Sequence, residues 1–137
     1  MSLFDVLTTA GSALNAQSVR LNVTASNIAN ANNLSSDEEG AYRAQRPIFA
    51  TLVDPFDLQS HATGVQIKEI VNSDAPLPRQ YRPEHPLADE QGYVTASNVN
   101  PVEEMADMIS ASRSYQNSVE VMNTTKEMLL RTINLGR

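Results

Sequence analysis

The chain has 137 residues, ten Lys and Arg against sixteen Asp and Glu, and a formal net charge of −6. That is enough for one domain, and it argues against nucleic acid as the main partner, because phosphate binding needs a basic stripe. There is no Cys, which removes disulfides, thiolate catalysis and thiolate metal sites; aromatics are 5% and Trp is absent, so a self-sufficient core is hard to build from large rings.

The first element is a long helix from Leu3 to about Ala31. Leu3, Leu7, Ala10, Leu14, Leu21 and Ile28 fall on alternating steps of three and four, with Gln17 and Thr24 filling the register. An average spacing of about 3.5 residues marks a helix seam packed against other helices. Ser2 can cap the helix, and Asp5 suits its positive end. Val19, Leu21 and Val23 alternate like a strand, but length and the sustained seam decide for helix. Only Asp5 and Arg20 are charged; Asn, Gln, Ser and Thr supply the remaining polarity. Neutral polar groups cost less to bury than charges, so the outer face is expected to be covered as well, by other subunits.

Residues 32–40, NNLSSDEEG, read as a loop. Its adjacent Asp37, Glu38 and Glu39 lack the ligand spacing of a calcium loop and suit a solvated face. The middle of the chain holds six of the seven prolines and reads as short strands. Candidates are 48–53, a second after Gly64 with Val65, Ile67, Ile70 and Val71, and a third at 93–95 after Gly92. A small, loose β element is expected rather than a sandwich.

The second helix starts with Asn100 as cap, Pro101 in the first turn and Glu103 placed to close a capping box. Met105, Met108, Tyr115, Val119, Met122, Leu129 and Ile133 carry its seam, interrupted by Ser112 and Lys126. Lys126, Arg131 and Arg137 suit its negative end, and Gly136 is the expected stop. The fold class is therefore mainly α. Long terminal helices pack as an antiparallel pair or coiled coil, with a small, irregular, β-rich middle. Residues 1–33 and 99–137 make the helical core, and 34–98 make the middle segment.

Little in the chain suggests chemistry. His85 has Glu84, Asp89 and Glu90 nearby, but it sits between a carboxylate and a proline in a turn-rich segment, where exposure is the default. His61 follows Ser60 in a polar loop, and neither histidine has helical metal-ligand spacing. No Gly-rich phosphate loop is present among only five glycines. No basic start and unbroken apolar run of a cleaved secretion signal is visible, and no stretch approaches a membrane span. Catalytic residues, metal ligands and cofactors are not expected. The expected assembly interface is Leu3, Leu7, Leu14, Leu21, Ile28, Met105, Met108, Tyr115, Val119, Met122, Leu129 and Ile133.

The run AGSALNAQSVRLNVTASNIANAN at 10–32 resembles the N-terminal signature of the bacterial flagellar rod and hook family. The run NPVEEMADMISASRSYQNSVEVMNTTKEMLLRT at 100–132 is similar to the C-terminal signature of the same family. Length and HPLADEQGYV at 85–94 point to its short proximal-rod type. The loop NNLSSDEEGA before Tyr42 replaces the Thr-Pro-Gly-Tyr type turn of many relatives, which argues against the hook and distal-rod types. The resemblance implies an axial subunit of the basal body whose terminal helices pack into a tube that transmits torque across the periplasm. It also implies export through the flagellar type III apparatus without cleavage. The partners it implies are other rod proteins and the export-gate adaptor beneath them. The rival reading from the residues alone is a soluble coiled-coil adaptor that holds a partner helix in a groove; an enzyme ranks last.

Overall fold

The computed structural model describes residues 3–53 and 62–136. Helix α1 (Leu3–Asn30) is followed by β1 (Leu34–Ser35), β2 (Gln45–Val53), β3 (Ala62–Asn72), β4 (Arg79–Tyr81) and β5 (Tyr93–Ala96), and helix α2 (Pro101–Leu135) closes the chain. The expected Ser2 cap, His61 and Arg137 lie outside the described residues.

Helix α2 is set at both ends by local chemistry. The Asn100 side chain accepts the Val102 N–H at 3.1 Å, Pro101 occupies the first turn, and the Gly136 N–H bonds back to the Ile133 carbonyl. Glu103 was expected to complete a capping box; its carboxylate reaches instead to Arg46 on β2, at 3.4 Å. Arg20 on α1 meets Asp107 on α2 at 3.0 Å, while Gly11 lies beside the tip of Met122. Descending α1 thus ascends α2, and the pair is antiparallel. At about 1.5 Å per residue α2 is some 10 Å the longer, so its last turns pass the start of α1.

The middle is more regular than expected. Strands β2 and β3 form an antiparallel ladder running from Gln45 opposite Asn72 to Val53 opposite Ala62, with register shifts after Ile48 and Leu52. Both strands are edges, so Pro47 sits in the ladder opposite Ile70 without breaking a sheet interior. The second sheet has the order β1-β5-β4, all antiparallel. Leu34 and Ser35, read above as loop, pair with Ala96 and Thr95. Two residues are too few for any periodic signal, and β4 is nearly as short. Strand β5 is the most enclosed part of this sheet: Val94, Thr95, Ala96, Ser97 and Val99 are buried where α1 ends and α2 begins.

The ladder lies along α1. The Ser12 hydroxyl accepts the Val65 N–H at 3.1 Å and donates to its own helix at Thr9. A Cβ on Gly64 would collide with that hydroxyl, so the close approach of strand to helix requires glycine there. At the other end of α1, Asn27 is 1% exposed. Its Nδ2 donates to the Gln45 carbonyl at 2.8 Å, and its Oδ1 accepts the Gln45 N–H at 2.9 Å and the Tyr42 hydroxyl at 3.0 Å. Part of the neutral polar face of α1 is therefore covered within the subunit, by its own β ladder. With the middle segment read as loose, that cover is expected from other subunits; the ladder supplies part of it instead.

Replacing Asn27 by Ala would remove the partner of both backbone polar groups of Gln45, while the Tyr42 hydroxyl keeps Ser26 at 3.2 Å. The expected loss is about 2–4 kcal/mol, since an unpaired buried donor or acceptor costs roughly 1–3. Tyr42→Phe should cost about 1 kcal/mol by the same reasoning. Urea unfolding of the purified chain measures both; an Asn27→Ala midpoint equal to that of the native chain would contradict the assignment.

Candidate assembly surface

The two helices meet through small side chains. On α1 the buried residues include Ala10, Ala16 and Thr24; on α2 they are Glu104, Ala111 and Thr125, with Ser118 half-buried between. Hydroxyls in this seam satisfy themselves locally. Thr125 donates to Val121 O at 2.7 Å and Ser118 to Ser114 O at 3.0 Å, each four residues back on its own helix. Such back-bonding lets a polar residue sit in a helix interface without a partner across it. Among the described residues, Gln17 Oε1 is a buried side-chain oxygen without a hydrogen bond.

The residues expected to carry assembly divide into two groups. Leu3, Leu7, Leu14, Leu21 and Ile28 of α1 and Met108, Val119, Met122 and Leu129 of α2 are half-buried. Met105, Tyr115 and Ile133 are exposed, Ile133 at 62%. The inward stripe of α2 is 104, 111, 118 and 125, one step round the helix from the stripe read off its large apolar residues. Periodicity gave the period but not the phase, because Ala, Ser, Thr and a carboxylate are weak hydrophobic markers. The large residues displaced outward are joined by Val102, Ile109, Val121, Met128, Leu130 and Leu135, all exposed. Beside the first turns of α1, Val6, Ala10 and Ala13 with Val121 of α2 line an open, mostly apolar groove.

The segment holding His85 is built as a turn. Arg82 N–H bonds to Gly92 O, and Gly92 adopts a φ of +83°, where a Cβ would press on Tyr81 and Pro83. Asp89 organises the loop: its Oδ1 accepts the N–H groups of Tyr93 at 2.8 Å and Gln91 at 2.9 Å, and its other oxygen pairs with Arg79. Arg79 in turn lies 5.0 Å from the centre of the Tyr93 ring. His85 Nδ1 accepts the Leu87 N–H at 3.2 Å, a local turn bond. Of the acids near it, Asp89 is thus engaged in folding the loop. Among the described residues, no group of three or more His, Asp or Glu side chains is placed to hold a metal ion, and no helix is long and apolar enough to cross a membrane.

Two family profiles match the chain. Residues 7–32 match the flagella basal body rod protein family, and residues 90–135 match the flagellar basal body rod FlgEFG protein C-terminal family. Among curated proteins, the flagellar basal-body rod protein FlgC of Yersinia enterocolitica is 45% identical over 137 residues, covering all of both chains. The protein of the same name from Salmonella typhimurium is 46% identical over 138 residues, again over the whole of both. That of Borreliella burgdorferi is 40% identical, with 93% of each chain covered.

The Asp89 turn carries a pH dependence of known sign. The Tyr93 N–H does most to hold its carboxyl below the ordinary 3.8; partial desolvation opposes this, and the Gln91 N–H and Arg79 add to it. The folded pKa is depressed, so the carboxylate's contribution is complete above 3.8 and lost as pH falls through the lowered value. A carboxyl-carbon NMR titration should place Asp89 below 3.8; a midpoint at or above it would contradict the geometry.

Proposed function

This chain belongs to the FlgC family of flagellar basal-body rod proteins, and from that premise we propose that its terminal helices polymerise into a helical tube that transmits torque across the periplasm. It is a structural subunit of the rod, not an enzyme, and it assembles with other rod components. The export-gate adaptor beneath the rod is among its partners in this reading, and the subunit is exported without cleavage of a signal peptide. Residues 1–33 and 99–137 act together as the polymerising unit, while 34–98 braces it.

The observation that carries the reading is the placement of large apolar side chains on α2. They stand outside a helix pair whose inner seam is already filled by small residues. Large apolar side chains left exposed in such number mark an interaction surface. The overhanging turns are its clearest part. By the register of Gly11 beside Met122, Leu3 stands level with Leu130, so Ile133 and Leu135 lie beyond it, and all three α2 residues are exposed. In the assembled tube the full set expected from the sequence forms the contacts: the half-buried leucines of α1 from one side of each subunit, Met105, Tyr115 and Ile133 from the other. Inward positions 104, 111, 118 and 125 recur every seven residues. That repeat supports a shallow left-handed coiling of the pair once neighbours hold it.

Two substitutions separate folding from assembly. Leu21→Asp places a charge in a half-buried position, so it should lower monomer stability by several kcal/mol and abolish swimming. Ile133→Asp should abolish swimming too, yet leave the monomer within about 0.5 kcal/mol of the native chain, because its side chain is exposed there. Swimming zones on soft agar and denaturant midpoints give the two readouts. An Ile133→Asp strain that swims like wild type would remove the overhang from the interface.

A further inference from the structure

The β2–β3 ladder has two strands and so two free edges. Residues 65–71, VQIKEIV, are rich in β-branched side chains, hold no proline and carry one charge of each sign. Ile48, Phe49, Val53 and Ile70 of the same hairpin are exposed. An open edge of this composition pairs readily with strands from other chains. Backbone direction shows how far each edge can be used. The Ser73 N–H bonds to the Ala44 carbonyl at 2.7 Å, so Gln45, the next residue, turns its N–H and C=O away from β3. Alternation then puts Pro47, Phe49 and Thr51 outward as well. Both groups of Gln45 are taken by Asn27, and Pro47 has no N–H to give. On β3 the Val65 N–H points outward to the Ser12 hydroxyl, which makes Ile67 outward too. Lys68 is the extra residue where the register passes from Glu69 to Ile67, so the outward set resumes at Ile70 and Asn72. An incoming strand offers its groups at every second residue and cannot match 65–67 and 70–72 together.

We propose that four features close this ladder to strand addition: Asn27 and Pro47 on the β2 edge, Ser12 and the Lys68 bulge on the β3 edge. Helix α1 acts as the clasp. It crosses the ladder from the β3 edge at Ser12 to the β2 edge at Asn27, about 22 Å further along its axis. Over Gln45–Thr51 and Val65–Asn72, neither edge then presents more than two outward N–H groups in step. That is shorter than an ordinary strand pairing. The chain thus carries a β-rich, partly apolar hairpin on its surface without offering it as a template. The bonds of Ser12 and Asn27 serve two ends at once. They dock the ladder on α1, and they occupy backbone groups that another chain would otherwise take.

The test uses the purified full chain, with a fluorescein-labelled peptide of residues 64–72 as the incoming strand. Two variants each reopen one edge. Pro47→Val supplies an outward N–H on β2, and deletion of Lys68 brings 65, 67, 70 and 72 into step on β3. Fluorescence anisotropy should show each variant binding the peptide roughly tenfold or more tighter than wild type. Thr51→Val adds β-branched surface to the same hairpin without touching a guard, and should bind no better than wild type. Thermal melting reports whether each variant folds; if the deletion does not, Pro47→Val decides alone. Folded variants that bind no better than wild type would overturn the proposal. So would equal binding by Thr51→Val, which would trace the effect to surface composition. Amide exchange examines the clasp without reopening either edge by insertion or deletion. Ser12→Ala should speed exchange at Val65 roughly tenfold and leave Gln45 unchanged. An unchanged Val65 rate would overturn the part assigned to Ser12.

Discussion

Asn27 binds both the N–H and the C=O of Gln45 with one carboxamide, and its oxygen also takes the Tyr42 hydroxyl. Nearly everything else in the molecule is arranged around that junction. It fixes the first residue of β2 to the last turns of α1, and the rest of the β2–β3 ladder then runs back along the helix to reach Ser12. Tyr42 and Ser26 close the same site at 3.2 Å. Asn98 ties the neighbouring chain in turn, accepting the Ala44 N–H at 2.7 Å and donating to Ala75 O at 2.9 Å. A carboxamide suits this role because it is both donor and acceptor and carries no charge to desolvate.

The helix pair obeys a different rule. On α2 the innermost positions are Glu104, Ala111, Ser118 and Thr125, the last two with hydroxyls bonded back to their own helix, while Val102, Met105, Ile109 and Ile133 are exposed. A free-standing domain would reverse that arrangement, since burying a Leu or Ile side chain gives roughly 1.5–3 kcal/mol that an Ala cannot. The pairing of Arg20 with Asp107, part-exposed on both sides, adds direction more than strength.

Much of this was legible in the residues. The helix limits followed from sustained spacing, from Asn100 and Pro101 at one start, and from Gly136 at one stop. The three longer strands fell near their expected places because Val, Ile and Phe cluster there between Gly and Pro. What escaped had physical reasons. A two-residue strand such as β1 has no period. The phase of α2 depended on which small residues turn inward, and size alone does not mark them. The cover over α1 came from long-range hydrogen bonds of Ser12 and Asn27, residues whose type permits many partners and names none. The matched signatures at 7–32 and 90–135 coincide with the two helices and strand β5, so the resemblance carried the family reading through those elements.

The tethers on α1 and α2 are unevenly distributed. The Asn27 junction, the Arg20 pair and the buried strand β5 all lie near the end where α1 finishes and α2 begins, whereas farther along the seam Gly11 meets the tip of Met122, and Ala10 and Ser118 line an open groove. A pair fastened in this way behaves like a tuning fork. Its root resists twisting, while its tines can slide past one another by a fraction of a turn with few side chains to unlock. In the torque-bearing shaft proposed above, each subunit would then be stiffest at its root and most compliant between the tines.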